Sequence, residues 1–407
     1  MMGPNPPRRV EIPVSRDLYL RGMRFLHTSD WHLGRTFHGH SILQFQQEFL
    51  DWVIERARAC EVDAVVIAGD VYDRSVPGHE AIEMLERALV DLLRICPVIL
   101  ISGNHDSPTR LGFGGPILRA SGLHLGTRVA TIANPAVITG RDGVPVAFYT
   151  LPYLEPDLVR RDLDAERSHR SVLTSAMDRV RDHAATLEPG TRTVAVAHAF
   201  VTGGSTSESE RDLSIGGIGD VPSTVFSGVD YVALGHLHGA QNITHPDGTH
   251  VRYSGSPLAF SFSEEKQRKS VTLVDLSVDG PPELTVMDCL IPRGMASLEG
   301  TLHDLLNSPE FAYAEGHWVR ITLTDVVRPE DPMRQLRGRF PHAITLDFTT
   351  GRGERDGERD TAARRAMTPV EITERFITYV TGREVVEDER VQVRDAVETA
   401  QREQVSA

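Results

Sequence analysis

The chain has 407 residues, 40% of them apolar and 25% charged, with a net charge of −14 at pH 7. This is the length of two or three domains with a sizeable core and the composition of an ordinary globular protein. It excludes a membrane-spanning chain, because no apolar run approaches the roughly 20 residues of a span, and the acidic balance disfavours a nucleic-acid partner unless bound metal masks several carboxylates.

The N-terminal "MMGPNPPRRVEIPVSRDLYLRG" lacks the apolar region of a secretory signal and reads as a disordered leader over residues 1–22. The three cysteines, Cys60, Cys96 and Cys289, form no CxxC pair and argue against a disulfide framework, so a reducing cytoplasm is the expected setting. From residue 23 short β-rich runs alternate with helix-period runs. "MRFLHTSD", "DAVVIAGD" and "PVILISGN" read as strands. Between them, Ser41 to Cys60 carries Ile42, Phe45, Phe49 and Val53 at helical spacing, and Gly78 to Ile95 carries Ile82, Leu85, Leu89 and Leu92. Further strands are expected at "VAFYTL", "TVAVAH", "YVALGH", "VRYSG" and "SVTLVDL". Continuous apolar strands are buried on both faces, so residues 23–287 should form a layered α/β domain. Residues 288–350 read as a small separate α/β unit, with strands at "MASLEG", "HWVRITL" and "AITLDF" and helices near Leu302–Leu306 and Pro332–Arg339. Residues 351–367 are glycine and mixed charge, a linker. Residues 368–407 should hold two helices. In the first, Thr368, Pro369 and Glu371 make a capping box, Ile372, Phe376, Ile377 and Val380 an apolar stripe, and Gly382 a stop. The second, weaker helix runs through Val386, Val393 and Val397.

Five polar clusters each follow an apolar strand: "SDWH" with Asp30 and His32, "AGDVYD" with Asp70 and Asp73, "SGNHD" with Asn104, His105 and Asp106, "AHAF" with His198, and "LGHLHG" with His236 and His238. In layered α/β proteins ligands gather beyond the carboxyl ends of the strands, so clusters far apart in sequence can converge. Taken singly each has a plainer reading: Asp-x-His as a loop pair, Gly-Asp as a turn, His198 as a hydrogen-bonded core histidine. As an ordered set they argue otherwise. Carboxylate, amide and imidazole without thiolate suit a hard or borderline divalent ion such as Mn, Mg, Fe or Zn. The ligands are too many for one ion, whereas two ions about 3.5–4 Å apart, bridged by a carboxylate, would use them and could drive an in-line attack on phosphorus.

In that order, D-x-H, G-D-x-x-D, G-N-H-D, a lone His and G-H-x-H, the motifs resemble the calcineurin-like metallophosphoesterases. "FLHTSDWHLGRTFHG", "VIAGDVYDRSVP", "ISGNHDSP", "DYVALGHLHGAQ" and "VRYSGSPLAFSFSE" are similar to the SbcD-type nuclease branch over about residues 23–350 and, more loosely, the C-terminal helices. The resemblance implies a metallophosphoesterase β-sandwich flanked by helices, a small α/β capping domain and C-terminal helices that bind a partner. It implies that Asp30, His32 and His238 hold one ion, that Asn104, His198 and His236 hold the other, and that Asp70 bridges. His105 would face the scissile phosphate and protonate the leaving oxygen. Asp106 would fix local geometry, and Asp73, which replaces a histidine of some relatives, would orient His105 or a water or cap a turn. Arg35, Arg74 and Arg110 lie close to these motifs and read either as contacts to DNA backbone phosphates or as surface arginines.

The implied activity is a manganese-dependent exonuclease and endonuclease on DNA ends, hairpins and single strands, in repair, recombination and replication. No GxxxxGK[ST] loop occurs, so ATP hydrolysis falls to a partner, an SbcC-like ATPase with a long coiled coil. The nuclease subunit would be a homodimer within a heterotetramer. The competing enzyme reading is a metallophosphoesterase for small phosphodiesters or phosphoproteins. The protein phosphatases, however, carry Glu after "GNH", where this chain has Asp106, and the C-terminal helices have no evident use in a small-molecule enzyme. A catalytically dead DNA-binding scaffold is argued against by the complete ligand set.

Overall fold

A computed structural model of the chain describes residues 22–141, 143–210, 221–349 and scattered positions between 370 and 396. The expected leader up to residue 21, the charged linker, Thr368, Pro369, Ile372, Phe376, Val380, Gly382 and Val397 lie outside the described residues.

Strands β1 (Met23–Thr28), β2 (Thr36–Phe37) and β3 (His40–Ser41) lead into α1 (Leu43–Ala59), β4 (Ala64–Ile67), α2 (His79–Leu93) and β5 (Val98–Ile101). Two short helices, α3 (Pro108–Leu111) and α4 (Gly115–Leu118), precede β6 (Leu123–Gly126), β7 (Ala136–Thr139) and β8 (Pro145–Leu151). Next come α5 (Pro156–Val159), α6 (His169–Ala184), β9 (Arg192–His198), β10 (Tyr231–Gly235), β11 (Gln241–Ile243), β12 (His250–Tyr253), β13 (Ser270–Leu276) and β14 (Glu283–Asp288). One sheet has the order β14-β13-β1-β4-β5-β6 and a second the order β11-β12-β10-β9-β8-β7.

The alternation of side chains along each strand builds four layers. Ala64 and Val66 of β4 face the second sheet, packing with Phe25, Ile99, Phe148, Val196 and Tyr231. Val65 and Ile67 face the other way, onto Phe49, Leu50 and Val53 of α1 and Ala81, Met84, Leu85 and Leu92 of α2. The outer face of the second sheet, with Tyr149, Ala195 and Leu234, is covered by Val172, Leu173, Ala176, Met177 and Val180 of α6. Strands β1, β4 and β5 run parallel to one another, and so do β8, β9 and β10. A parallel pair needs a crossover, and α1, α2 and α6 supply it between β1 and β4, β4 and β5, and β8 and β9.

The helix at α2 departs from the expected face. Ile82 is 44% exposed, and the buried stripe runs through Ala81, Met84, Leu85, Ala88 and Leu92. Alanines pack close to the sheet and rotate the stripe away from the bulkier isoleucine. The reading of the sequence also omits α6, whose mean composition is polar. Its start is capped all the same, the Ser168 side chain accepting from the Ser171 N–H.

Residues 295–348 form a third sheet of parallel strands β15 (Met295–Gly300), β16 (Trp318–Leu323) and β17 (Ala343–Phe348), joined through α7 (Leu302–Asn307) and α8 (Pro332–Arg339). Its own core holds Leu298, Leu305, Val319, Ile321, Leu336 and Phe340. An aromatic cluster of Phe37, Phe260, Phe262 and Trp318 seats this unit against the loops beside the first sheet. Toward the C-terminus, Val370, Glu371, Thr373, Glu374, Ile377 and Thr378 are helical, as are Glu389–Arg394 and Ala396. Arg390 lies 3.2 Å from Glu374, tying the two segments.

Candidate metal centre

Asp30 and His32 follow the end of β1, Asp70 follows β4, Asn104 to Asp106 follow β5, His198 closes β9, and His236 and His238 follow β10. Because β1, β4 and β5 are parallel neighbours in one sheet and β9 and β10 in the other, these ends share one edge of the sandwich. The backbone bends sharply there. Asp30, His32, Asp70 and His236 have φ of 55°, 44°, 47° and 109°, values non-glycine residues rarely adopt and that cost of order 1–3 kcal/mol each. Such conformations turn the side chains off the strand line and into a common space. The glycines before Asn104 and His236 answer to crowding: a Cβ on Gly103 would stand 2.2 Å from Asp70 Oδ1, and one on Gly235 1.9 Å from the Ala68 carbonyl oxygen. Gln46 of α1 braces the first loop, donating to the carbonyls of Trp31 at 3.3 Å and His32 at 2.7 Å and accepting from the Gly34 N–H.

The side chains meet closely. Single ligand atoms of Asp30, His32 and His238 lie within 4.8 Å of one another, as do those of Asp30, Asp70 and His198, and those of His32, Asp73 and His105. His32 Nε2 is 3.1 Å from His238 Nε2. Asn104 Oδ1 is 3.0 Å from His198 Nε2 and 3.1 Å from His236 Nδ1. Asp70 Oδ2 stands between these groups, 3.7 Å from His32 Nε2 and 3.4 Å from His198 Nε2. Asp30 accepts from the His236 backbone N–H and from the Ser29 hydroxyl.

The donor set fits divalent cations. His198 Nδ1 donates to the Ala68 carbonyl at 2.8 Å, so Nε2 is the nitrogen turned toward the Asn104 and Asp70 oxygens. Imidazole nitrogen and oxygens converge on a point that calls for positive charge, a proton on Nε2 in the metal-free chain or a cation in its place. Burial by itself depresses His198, yet the Asp70 carboxylate carries it up to about 9. Burial pushes Asp30 up to about 6 and His236 down to about 3, and holds His32 well below its ordinary value. His32 Nδ1 is buried without a hydrogen-bond partner among the described residues. Neutral imidazoles and strained carboxyls of this kind are what a cation stabilises as ligands.

Residues 23–240 match the family model described as calcineurin-like phosphoesterase, more than half of the chain. The chain belongs to the calcineurin-like phosphoesterase family. It is therefore a hydrolase of phosphoester bonds that works with divalent metal ions. Residues 291–381 of this phosphoesterase match a second model, SbcD_C, described as the type 5 capsule protein repressor C-terminal domain. The two matches in one chain support the SbcD-type resemblance carried by the motifs. Among solved structures, the phosphoesterase is similar to TT1561 of Thermus thermophilus, with 13% identity, 66% of this chain and 99% of that chain covered, and a TM-score of 0.39. It is similar also to a dimetal phosphatase from Danio rerio, with 12% identity, 65% and 99% covered, and a TM-score of 0.37.

The neighbours of the centre differ in kind. Both oxygens of Asp106 accept backbone N–H groups, from Val71, Tyr72 and Gly103 at 3.1, 3.0 and 2.9 Å, so this carboxylate ties the β4 loop to the β5 loop. His105 Nδ1 lies 2.8 Å from the backbone carbonyl of Asp73, and it is this carbonyl, not the Asp73 carboxylate, that aligns the ring. The Asp73 carboxylate instead stands 3.7 Å from His32 Nδ1 and 3.5 Å from Arg35. Arg35 is enclosed, donating to the Ser209 carbonyl and lying over the Phe260 ring. The Arg74 side chain is 79% exposed beside Asp73, and Arg110 donates to the Ser75 carbonyl. Sequence reasoning missed Gln46, Ser209, Glu210, Glu264 and Lys269. The last carried a signal, being one of only two lysines in the chain, next to a glutamate-rich stretch.

Proposed function

We propose that the protein is a two-metal DNA nuclease, with Asp30, His32 and His238 holding one ion, Asn104, His198 and His236 the other, and Asp70 shared between them. The observation that carries this reading is the position of Asp70 Oδ2, within 3.7 Å of His32 and 3.4 Å of His198, one from each set. When bound, the two ions supply a nucleophile at neutral pH and draw charge from the phosphate oxygens. The chain's own residues do the rest. His105 commits Nδ1–H to the Asp73 carbonyl, so its chemistry passes through Nε2, which protonates the leaving oxygen. Asn104 contributes a neutral oxygen, adding no negative charge opposite the substrate.

DNA as substrate is supported by the SbcD_C match at residues 291–381 and by the unit those residues include, which packs through Trp318 on the loops beside the centre. Manganese is the proposed metal and the cytoplasm the proposed setting; among the described residues no helix is long and apolar enough to cross a membrane. An SbcC-like coiled-coil ATPase is the proposed partner. A homodimer of this subunit within a heterotetramer with that ATPase is the proposed assembly. The test is cleavage of plasmid, linear and hairpin DNA in manganese, with and without the ATPase. Wild type should nick and degrade DNA, and Asp70→Ala should lose both cleavage and metal uptake. Activity confined to small phosphodiesters, or an unaffected Asp70→Ala enzyme, sinks the reading.

A further inference from the structure

His238 is held from behind by groups that the reaction itself does not use. Its Nδ1 lies 2.6 Å from Ser209 Oγ. Ser209 Oγ in turn donates to Glu264 Oε1, which is itself 3.6 Å from His238 Nδ1. The Glu264 side chain is fully buried, and so, within 1%, is that of Lys269, whose ammonium pairs with it. The same ammonium donates to the His238 carbonyl and to Ser256 Oγ, both at 3.0 Å. Glu264 also accepts from the Phe260 N–H at 3.2 Å and the Ser261 hydroxyl at 3.1 Å. On the other side the His238 N–H donates to Glu210 Oε1 at 2.6 Å.

Ser209 Oγ also lies 3.1 Å from Ser207 Oγ, but its shorter contacts, to His238 Nδ1 and Glu264 Oε1, favour one arrangement of the hydrogens. Glu264 pairs with the Lys269 ammonium and accepts from the Phe260 N–H and the Ser261 hydroxyl, so its carboxylate acts here as an acceptor. Ser209 therefore spends its hydroxyl proton on Glu264 and accepts at Oγ. The donor to Oγ is His238 Nδ1–H. A proton on Nδ1 leaves the lone pair on Nε2, the nitrogen that faces His32 and Asp30. A buried ion pair contributes little net stability, which leaves the orientation of this ring as the reason for its place.

We infer that Ser209 and Glu264 are positioning residues for His238, a relay that fixes the ring's tautomer and aims Nε2 at one of the two ions. The inference rests on the two-metal reading above. It is tested by calorimetric titration of Mn²⁺ alone into metal-free, full-length wild type, Ser209→Ala, Ser209→Thr and Glu264→Gln, with thermal unfolding of each metal-free form. Wild type should take up two ions. Ser209→Ala should bind one of them about 10–100-fold more weakly and the other as wild type does, at an unchanged metal-free melting temperature. Ser209→Thr, which keeps the hydroxyl, should restore the affinity. Glu264→Gln should repeat the selective loss, and if it fails to fold, the Ser209 variants decide alone. Two wild-type affinities in Ser209→Ala, or an equal loss of both ions, overturn the inference while the two-metal reading stands. Uptake of fewer than two ions by wild type overturns that reading, and the relay falls with it.

Discussion

His105 and its neighbour Asn104 show how adjacent residues divide labour. The amide faces two imidazoles, whereas the imidazole is aligned by the Asp73 carbonyl. Under the two-metal nuclease function proposed above, His105→Gln should keep both manganese ions and lose DNA cleavage by about 10²–10⁴-fold, the scale of a positioned acid–base group. Calorimetry beside a hairpin-cleavage assay checks this; loss of metal in the variant would make His105 a ligand or a support. A second histidine, His27, is wholly buried, its Nε2 3.1 Å from the Leu234 carbonyl and Nδ1 3.0 Å from the Tyr231 hydroxyl. A neutral ring satisfies both, donating to the carbonyl and accepting from the phenol. Burial, helped by Arg252, pushes its pKa down to about 3 from an ordinary 6.5. Between those values the unfolded chain binds a proton that the folded chain does not, so stability is full above 6.5 and falls with pH below it. The contribution is about 1.4 kcal/mol per pH unit. Urea unfolding of metal-free wild type and His27→Gln from pH 7 to 4 isolates this term: the two slopes should differ by that amount, with stability falling less steeply toward low pH in the variant, and parallel slopes would refute it.

At the level of elements, the centre depends on how closely strand ends can approach. The β5 loop passes the β4 loop with no room for a methyl group, since a Cβ on Gly103 would meet Asp70 Oδ1 at 2.2 Å and Asp70 N at 2.4 Å. Asp106 then ties the two loops by three backbone hydrogen bonds. Gly103→Ala should destabilise the protein by about 1–3 kcal/mol, the scale of overpacking, and should weaken manganese uptake because Asp70 is what moves. Urea midpoints and a manganese titration read the two effects, and a variant with wild-type values of both would show that the loops yield freely. The loop at 203–210 works in the same manner from the second sheet, delivering Ser209 and Glu210 to the back of His238.

For the whole molecule, the sandwich supplies the centre and the parallel three-stranded unit covers the loops beside it through Trp318. The C-terminal helical segments stand apart in chain order from both, beyond residues 351–367, and are tied to each other by Arg390 and Glu374. The sequence sets Ile372, Phe376, Ile377 and Val380 at helical spacing; a short amphipathic helix is marginal alone in water, and helix-in-groove docking uses such a spacing of anchors. Under the function proposed above, deleting residues 364–407 should leave manganese-dependent cleavage of short DNA nearly intact and abolish co-purification with an SbcC-like ATPase. An insoluble product, or one inactive on short DNA, would assign these helices to the chain's own core.

The sequence by itself determined the local vocabulary. Unbroken apolar runs such as "DAVVIAGD" mark strands buried on both faces, and the residue types after them mark metal chemistry, because both properties are written in neighbouring letters. The small parallel unit near residues 295–348 was legible for the same reason. The face of α2 was not, since which side of a helix is buried depends on the sheet it meets, and alanine fits that sheet better than Ile82. Helix α6 stayed hidden behind a polar average although its stripe from Val172 to Val180 is regular. The support of the centre was least visible. Gln46 reaches the His32 carbonyl across 14 positions, Ser209 reaches His238 across 29 and Glu264 across 55, and Lys269 reaches the His238 carbonyl across 31, separations that only the tertiary fold closes to a hydrogen bond.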